Sequence, residues 1–466
     1  MSGSVTENHA TTTPDSPETP SRRGPRFPSA AFGQTFRSLK VRNYRLFATG
    51  QVVSLVGNWM QFTAQDWTVL HVSGNSGSAL GWVTALQFLP VVLLTLYGGK
   101  LADRYDKRAL LLCTNIGAGL VALALGALTL SGHIQLWHVF VLAACLGTVN
   151  AIDNPARQSF VSEMVGAELL PNAVSLNGAV FNAARVIGPA VAGVSISLIG
   201  TGPVFLLNFL TYAATCIALK RMRPAELHRS TAPTTQRETR VVDGLRYAAA
   251  RPDLMLPMVL MLVIGGLGFK FQLSLALVSK TVFHRGAASF GLLTTMLAVG
   301  ALIGALASSR RSGRPSSYLV IGAAFAFGIF EVLAGFAPSY LAEAGLLVLT
   351  GFFMIFLAQA ANQRIQLGVS EAYRGRVMAL YVLMFQGSTP VFAPMVGWLA
   401  ENLGARSSLW VGGLASVLSA AAVLAYRSKR RGVQVRLRAR PVPHVQVTEP
   451  SGLRMDIPAG RARIAR

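Results

Sequence analysis

Residues 109–152 read ALLLCTNIGAGLVALALGALTLSGHIQLWHVFVLAACLGTVNAI and contain no Asp, Glu, Lys or Arg. A membrane-spanning helix needs about 20 mostly apolar residues, so this stretch is long enough for two crossings. The turn-forming pair Ser131-Gly132 divides it near its middle. Such runs are too long and too uniformly apolar for barrel strands, and lipid leaves no partner for an unpaired backbone group. We therefore expect membrane-spanning helices here.

Similar charge-poor stretches recur along the whole chain. Its 466 residues are 52% hydrophobic and only 13% charged, whereas soluble domains carry about 25% charged residues. Dividing the stretches at turn signals predicts an all-α membrane protein with twelve transmembrane helices in two six-helix bundles. The predicted spans are residues 44–71, 79–101, 108–130, 135–154, 172–199, 203–220, 254–281, 287–308, 317–336, 339–364, 374–401 and 407–426.

Positive charge is distributed unevenly between the loops. The net charge is +23, and 37 of the 42 Lys and Arg residues fall in the termini and in alternate loops. The intervening loops hold only Lys280, Arg285 and Arg406. Basic loops stay in the cytoplasm, so we expect a bacterial plasma-membrane protein with both termini cytoplasmic. Topology and attraction to the lipid bilayer account for the basic excess, and we expect no nucleic-acid partner.

The chain divides into two halves joined by a basic linker. The segments Asn154–Glu163 and Asn362–Glu371 share Asn, Gln, Val, Ser and Glu at the same offsets, which indicates an internal duplication. Such repeats place a substrate site between the halves near mid-membrane. The predicted organisation is a disordered tail (1–36), a first bundle (37–220), a linker (221–250) with a surface helix near 241–251, a second bundle (251–427) and a basic tail (428–466).

Polar side chains follow one face of the first predicted span. They are spaced by 3, 4, 3 and 4 residues and therefore share a helical stripe: Gln51, Ser54, Asn58, Gln61 and Gln65. We interpret the stripe as facing a wet pathway. The alternative is polar contact between helices, worth about 0.6 kcal/mol per contact. Asn182 on span five and Gln359 on span ten are further pathway candidates. Asn150, Asp153 and Asn154 are predicted to lie toward an inner gate.

Two cations lie well inside predicted spans. Arg185 is on span five, and Lys270 is on span seven beside Gln272. A cation at the centre of a spanning helix costs about 2.5–3.5 kcal/mol, so an acidic partner, an anionic substrate group or water must offset it. Asp66 is a candidate ion-pair partner and the first candidate for proton coupling, with Glu331 second. A permanent ion pair that locks helices together is the alternative.

The loop between spans two and three reads GKLADRYDKR at residues 99–108. It resembles the loop motif of the major facilitator superfamily, Gly-x-x-x-Asp-Arg-x-Gly-Arg/Lys-Arg/Lys, with Asp106 in place of the second Gly. The residues that match are Gly99, Asp103, Arg104, Lys107 and Arg108. The resemblance implies a loop that clamps the two halves on the inner face. We also expect Asp103 near a helix N-terminus, where its charge is favoured.

Span five carries Gly188-Pro189 followed by Gly193. This pattern is similar to a motif of exporters in the same superfamily, where Gly and Pro permit a bend and a close helix contact. Together with SLKVRNYRLF at 38–47 and Arg374-Gly-Arg-Val, it resembles the enterobactin-exporter-like branch, also called transmembrane secretion effectors. The resemblance covers residues from about 36 to 427. It implies a proton-driven exporter of a small-molecule substrate, working by alternating access. Separately, we expect a monomer.

Other functions remain open at this point. An uptake carrier, or a non-transporting membrane sensor or assembly protein of the same fold, fits much of the pattern. The chain has no phosphate-cradling Gly-x-x-x-x-Gly-Lys-Ser/Thr loop, and its three cysteines fall inside apolar runs with no zinc-like Cys/His spacing. We therefore expect no enzyme activity, no cofactor and no metal.

Overall fold

The twelve predicted spans are confirmed. The computed structural model describes residues 36–228 and 241–431 and the short segments 434–438, 444–448 and 454–458. In these residues ten helical segments are long and apolar enough to cross a membrane, by length and composition. One of them, Leu136–Ile199, has 64 residues and supplies two crossings. The helix Arg42–Val72 adds the twelfth, and its polar stripe explains why its hydropathy is lower.

We number the spans in chain order. In the first half, span 1 is Arg42–Val72, span 2 is Gly77–Arg104, span 3 is Lys107–Leu130, spans 4 and 5 are the two parts of Leu136–Ile199, and span 6 is Thr201–Lys220. In the second half, span 7 is Pro252–Leu267 followed by Phe271–Leu277 and a π-helical turn at Val278–Val282, span 8 is Ala287–Ser309, span 9 is Ser317–Gly335, span 10 is Tyr340–Gln366, span 11 is Glu371–Gln386 followed by Thr389–Asn402, and span 12 is Ser407–Arg431.

Shorter elements flank the spans. Single 3₁₀ turns lie at Arg37–Lys40 and Pro224–Glu226, and a linker helix runs over Val241–Ala249. Three short antiparallel strands follow span 12 in chain order, at Gln434–Arg438, His444–Thr448 and Arg454–Pro458. The three strands follow the helical bundles in the sequence. The bundles themselves are all-α, as predicted.

The connection between spans 4 and 5 differs from the prediction. A loop was expected between residues 154 and 172, but the chain stays helical through most of it. Gly166 alone leaves the helix, with φ 70° and ψ 177°. Only glycine adopts this backbone readily, so one residue makes the turn that a longer loop was expected to make.

The two halves meet closely at one face. We call the face at which span 1 begins and span 12 ends the basic face, and the other the opposite face. Span 2 packs on span 11 and span 5 packs on span 8. A Cβ on Gly77 would lie 2.5 Å from the carbonyl oxygen of Gly397, and one on Gly193 would lie 2.8 Å from that of Ala287. Glycines therefore allow the backbones of the two halves to touch.

Hydrogen bonds and stacked side chains reinforce this contact. Oε2 of Glu401 accepts hydrogen bonds from the Ser76 hydroxyl at 3.0 Å and from the Ser78 amide at 2.9 Å. The ring of Trp67 on span 1 stacks on Phe290 of span 8 at 6.4 Å, and Nζ of Lys280 lies 5.2 Å from the same ring. The structure is therefore closed at the opposite face.

At the basic face, the loop between spans 2 and 3 bonds within its own half. Lys107 pairs with Glu163, and Arg108 donates hydrogen bonds to the carbonyl oxygens of Leu219 and Lys220. Asp103 is exposed in the last turn of span 2, whereas Asp106 caps span 3 through the Ala109 amide at 3.0 Å. The residue that departs from the family motif is therefore the helix cap.

The first Gly of the loop motif makes no close contact between helices. A Cβ there would meet nothing within 4 Å, whereas one on the neighbouring Gly98 would collide with the Ala151 carbonyl of span 4. Neighbouring glycines at the end of a helix point in different directions, so the sequence alone does not show which one makes the contact.

Part of the predicted linker is helical. The helix Val241–Ala249 corresponds to the predicted surface helix, and the Tyr247 ring stacks on Tyr373 of span 11 at 4.4 Å. The predicted tail 1–36, apart from Phe36, the linker residues 229–240 and most of the tail 428–466 lie outside the described residues.

Glycine packing predicts a difference between two helical Gly→Ala substitutions. Gly300→Ala should lower the free energy of unfolding by about 1–3 kcal/mol, because the new Cβ would collide with the Val348 carbonyl of span 10. Gly345→Ala on span 10 is the matched control, since its Cβ would meet nothing within 4 Å. Thermal unfolding of both variants in one detergent measures the difference. A thermal-unfolding midpoint for Gly300→Ala that equals or exceeds the wild-type midpoint would contradict the close contact between spans 8 and 10.

Candidate functional site

A cavity of about 480 Å³ lies between the halves. Its walls come from spans 1, 2 and 5 of the first half and spans 7, 8, 10 and 11 of the second. We call it the inter-half cavity. Among the predicted site residues it is lined by Gln65, Asp66, Arg185, Lys270 and Gln272. A site built jointly by both halves is the arrangement that the internal duplication predicted.

Aromatic rings form much of the cavity wall. They come from both halves, and they are Trp59, Phe62, Phe88, Phe269, Phe271 and Phe385. The Arg185 guanidinium lies 6.0 Å from the Trp59 ring, a separation at which a cation is attracted to the face of an aromatic ring. The cavity therefore combines large apolar surfaces with positive charge.

Lys270 is positioned by interruptions in two helices. Span 7 breaks between Leu267 and Phe271, and Lys270 occupies the break. Span 11 breaks between Gln386 and Thr389. Nζ of Lys270 donates a hydrogen bond to Oγ1 of Thr389 at 2.8 Å. Interrupted helices place backbone and polar groups inside the membrane, where they are tolerated only next to protein or a water-filled cavity.

Asp66 does not pair with either cation in this conformation. Its side chain is on the cavity wall and the residue is 7% exposed. It faces Gln272, but Oδ2 of Asp66 and Nε2 of Gln272 have no hydrogen-bond partner among the described residues. Within this part of the chain no ion pair joins Asp66 to Arg185 or Lys270, so the proposed Asp66 pair is not formed.

Glu331 is buried near the end of span 9 and is not on the wall of the inter-half cavity. It is 1% exposed and sits between two glycines, because a Cβ on Gly268 would lie 3.0 Å from Oε2 and one on Gly412 would lie 2.9 Å from Oε1. Gly268 belongs to the break in span 7. Glu331 therefore contacts the segment that carries Lys270 without lining the inter-half cavity.

The polar stripe on span 1 does not face a single pathway. Gln65 lines the inter-half cavity, while Gln51 and Asn58 line a second cavity inside the first half. Gln61 accepts a hydrogen bond from Asn208 of span 6 at 2.5 Å, and Ser54 is fully buried. The stripe thus serves two cavities and one contact between helices. A helix of this length passes several environments along one face, which the spacing of residues does not reveal.

Two other predicted pathway residues line neither cavity. Asn182 donates a hydrogen bond to the Gly178 carbonyl of its own helix at 2.8 Å, and Gln359 is exposed on span 10. Both predictions are wrong for this conformation.

In the span 5 motif, Pro189 and Gly193 lie at the contact between the halves, whereas Gly188 packs on span 1 within the first half. A Cβ on Gly188 would collide with Trp59, Gly193 packs against Ala287, and a Cβ on Gly291 of span 8 would collide with the Pro189 carbonyl oxygen. The motif therefore forms a close helix contact beside the inter-half cavity.

Sequence reasoning missed part of the site. Thr389 and the aromatic walls were not predicted, although Phe269 and Phe271 flank Lys270 in the sequence and could have indicated them. Among the described residues no group of three or more His, Cys, Asp or Glu side chains could hold a metal ion.

Comparison with known proteins identifies the family. The family described as transmembrane secretion effector matches residues 34–450. The staphyloferrin A transporter of Staphylococcus aureus is 25% identical over 80% of this chain and 93% of its own length. The multidrug efflux pump Tap of Mycolicibacterium fortuitum is also 25% identical, over 76% and 88%. The enterobactin exporter EntS of Shigella flexneri is 26% identical, over 66% and 72%.

Solved structures show the same fold. A bacterial homolog of the human lysosomal transporter Spinster, in an inward-facing and unoccupied conformation, has a TM-score of 0.68 at 14% identity and covers 83% of this chain and 97% of its own. A bacterial homologue of the iron transporter ferroportin, in an inward-facing state, has a TM-score of 0.64 at 17% identity over 83% and 99%. The chain belongs to the transmembrane secretion effector family of the major facilitator superfamily, a family of multi-pass membrane transporters and not of enzymes.

Proposed function

We propose that this transporter exports small amphipathic organic anions in exchange for protons, by alternating access. The observation that carries the proposal is the inter-half cavity, in which Arg185 and Lys270 stand among aromatic rings without an ion-pair partner in the described part of the chain. The protein acts as a monomer in the bacterial plasma membrane with both termini in the cytoplasm.

Charge sets the substrate class. Arg185 and Lys270 outnumber the single carboxylate on the cavity wall, Asp66. An anionic group on a bound molecule would offset the cost of the cations, and its apolar part would cover the rings. The Lys270 ammonium already donates to Thr389, and a lysine has three donors, so a substrate oxygen can bind beside the hydroxyl.

Orientation and conformation support the direction of transport. The excess of Lys and Arg assigns the basic face to the cytoplasm. The structure is closed at the opposite face, so it corresponds to a state that loads from the cytoplasm. The names of the relatives include an efflux pump and an exporter, and export is the direction that we propose for this chain.

Proton coupling is assigned first to Asp66. Its carboxyl is on the wall of the inter-half cavity and has no cation partner among the described residues. A carboxyl group that alternates between a dry and a wetted environment binds and releases a proton. Glu331 is the second candidate, because it contacts the break in span 7 that carries Lys270.

Antiport predicts which pH gradient drives transport. Proteoliposomes with an acidic lumen should accumulate 4-methylumbelliferyl sulfate, because protons leaving the lumen drive the anion inward. This probe is a permanent anion and does not redistribute passively with pH. Asp66→Asn should retain binding of the probe but lose the dependence of its accumulation on the gradient. Probe retained on filters, with and without an uncoupler, is the measurement.

The alternatives give different results in the same assay. An uptake carrier that moves protons and anion together would accumulate the probe only when the outside is acidic. A non-transporting protein would accumulate it under neither gradient. Either result would contradict the proposed function, and accumulation of the aromatic cation ethidium in place of the sulfate would contradict the anion class.

The two cavity cations should be required for the anion. Lys270→Met and Arg185→Met keep most of the side-chain length and remove the charge, and each should raise KM for the sulfate at least about 10-fold, as expected for a lost charge-assisted hydrogen bond. Lys220→Met is the matched control, because Lys220 is exposed at the end of span 6. Membrane insertion of all variants is checked by expression level. An unchanged KM in both cavity variants would contradict the assignment.

A further inference from the structure

The breaks in spans 7 and 11 lie side by side. A Cβ on Gly265 would lie 2.6 Å from the ring of Phe385. A Cβ on Gly266 would lie 2.7 Å from the ring of Phe392. The two glycines are in the last helical turn before the break in span 7, and the two rings stand on either side of the break in span 11. The segment that carries Lys270 is therefore packed against the point at which span 11 is interrupted.

Span 11 has a bending point at this break. Pro390 carries no amide hydrogen, so it cannot donate to the carbonyl of Gln386 four residues earlier. Helices kink where the ladder of backbone hydrogen bonds is interrupted in this way. The second part of the span, Thr389–Asn402, can therefore change its angle to the first part. We call this second part the span 11 arm.

One row of residues on the arm reaches from the inter-half cavity to the closed opposite face. Its members are four residues apart and follow one ridge of the helix: Thr389, Ala393, Gly397 and Glu401. The first member lies on the cavity wall, and the other three contact span 2. A Cβ on Gly81 would lie 2.6 Å from the Ala393 carbonyl oxygen, and the contacts of Gly397 and Glu401 are those described for the closed face. The hydroxyl that Lys270 binds and the groups that close the opposite face thus belong to one short helix.

The hydrogen bond from Lys270 to Thr389 holds the cavity end of the arm. Both residues are buried, at 8% and 7% exposure, and both line the inter-half cavity. A charged oxygen is a stronger acceptor for an ammonium group than a neutral hydroxyl. An anion that binds beside the hydroxyl therefore draws the ammonium toward itself and weakens its bond to Thr389. The end of the arm then loses the partner that fixes it to span 7.

We propose that Thr389 is a positioning residue that couples occupancy of the inter-half cavity to the opposite face. With the cavity empty, Lys270 holds Thr389 and the arm stays against span 2. With an anion on Lys270, the arm is released, bends at the break and separates from span 2. The inference rests on the proposed function for the anion, and it gives a reason why the empty carrier stays closed.

Spin labels on the two halves measure the opening of the opposite face. One label is attached at His133→Cys, in the loop between spans 3 and 4, and the other at Asn402→Cys, at the end of the arm, and both positions are exposed. The full chain is used, with its three native cysteines replaced by serine: Cys113, Cys145 and Cys216. Pulsed electron paramagnetic resonance measures the separation of the labels with and without 4-methylumbelliferyl sulfate.

Without the anion, Thr389→Val should raise the ratio of open to closed molecules at least about 10-fold, because it removes a hydrogen bond to a charged donor. Thr389→Ser keeps the hydroxyl and should match wild type. Thr350→Val is the matched control, since Thr350 is buried on span 10 and its hydroxyl donates to the Leu346 carbonyl of its own helix. The sulfate should lengthen the separation in wild type and change it little in Thr389→Val.

An unchanged separation in Thr389→Val without the anion would overturn the coupling. The same shift in Thr389→Ser as in Thr389→Val would overturn it as well, because the effect would then come from the lost methyl group and not from the hydroxyl. These comparisons need no anion, so their failure is distinct from a failure of the proposed function. A wild type that does not respond to the sulfate, while Thr389→Val opens, would confirm the hold on the arm and contradict the anion class.

Discussion

The cost of burying positive charge in a membrane governs this structure. Arg185 and Lys270 would each cost about 2.5–3.5 kcal/mol in a lipid environment. The protein offsets part of this with the Trp59 ring and the Thr389 hydroxyl. No carboxylate in the described part of the chain pairs with either cation, so the rest of the offset must come from water or from a bound anion. The two halves therefore have to stand apart where these residues lie, which requires a cavity between them.

Closure at the opposite face depends on small residues. Spans 2 and 5 of the first half pack on spans 11 and 8 of the second, and each contact places a glycine against the backbone of the partner span. Gly77 with Gly397 and Gly193 with Gly291 play similar parts in the two contacts. At these glycines the backbones touch directly, and the stacked rings of Trp67 and Phe290 add the large side chains of the closure. In the alternating-access cycle that we propose, this contact is the one that has to open.

Most of the fold could be predicted from the sequence, whereas only part of the site could. Spans follow from hydropathy because lipid imposes one length and one composition on every helix. Cavity residues depend on which neighbour each side chain meets. Gln61 accepts a hydrogen bond from Asn208 and therefore joins spans 1 and 6, whereas Gln65, one turn later, lines the inter-half cavity. Likewise, Gly166 turns the chain in one residue, which the spacing of the predicted spans does not reveal.

A reversible cross-link tests alternating access most directly. The Ala288 amide donates to the Ser197 hydroxyl at 3.2 Å across the closed opposite face, so Ser197→Cys with Ala288→Cys, in a background where Cys113, Cys145 and Cys216 are replaced by serine, should form a disulfide between the halves. Oxidation should stop accumulation of 4-methylumbelliferyl sulfate in acid-lumen proteoliposomes, and a reductant should restore it, while Ser197→Cys alone should be insensitive. Transport at the full rate by the cross-linked protein would contradict the account.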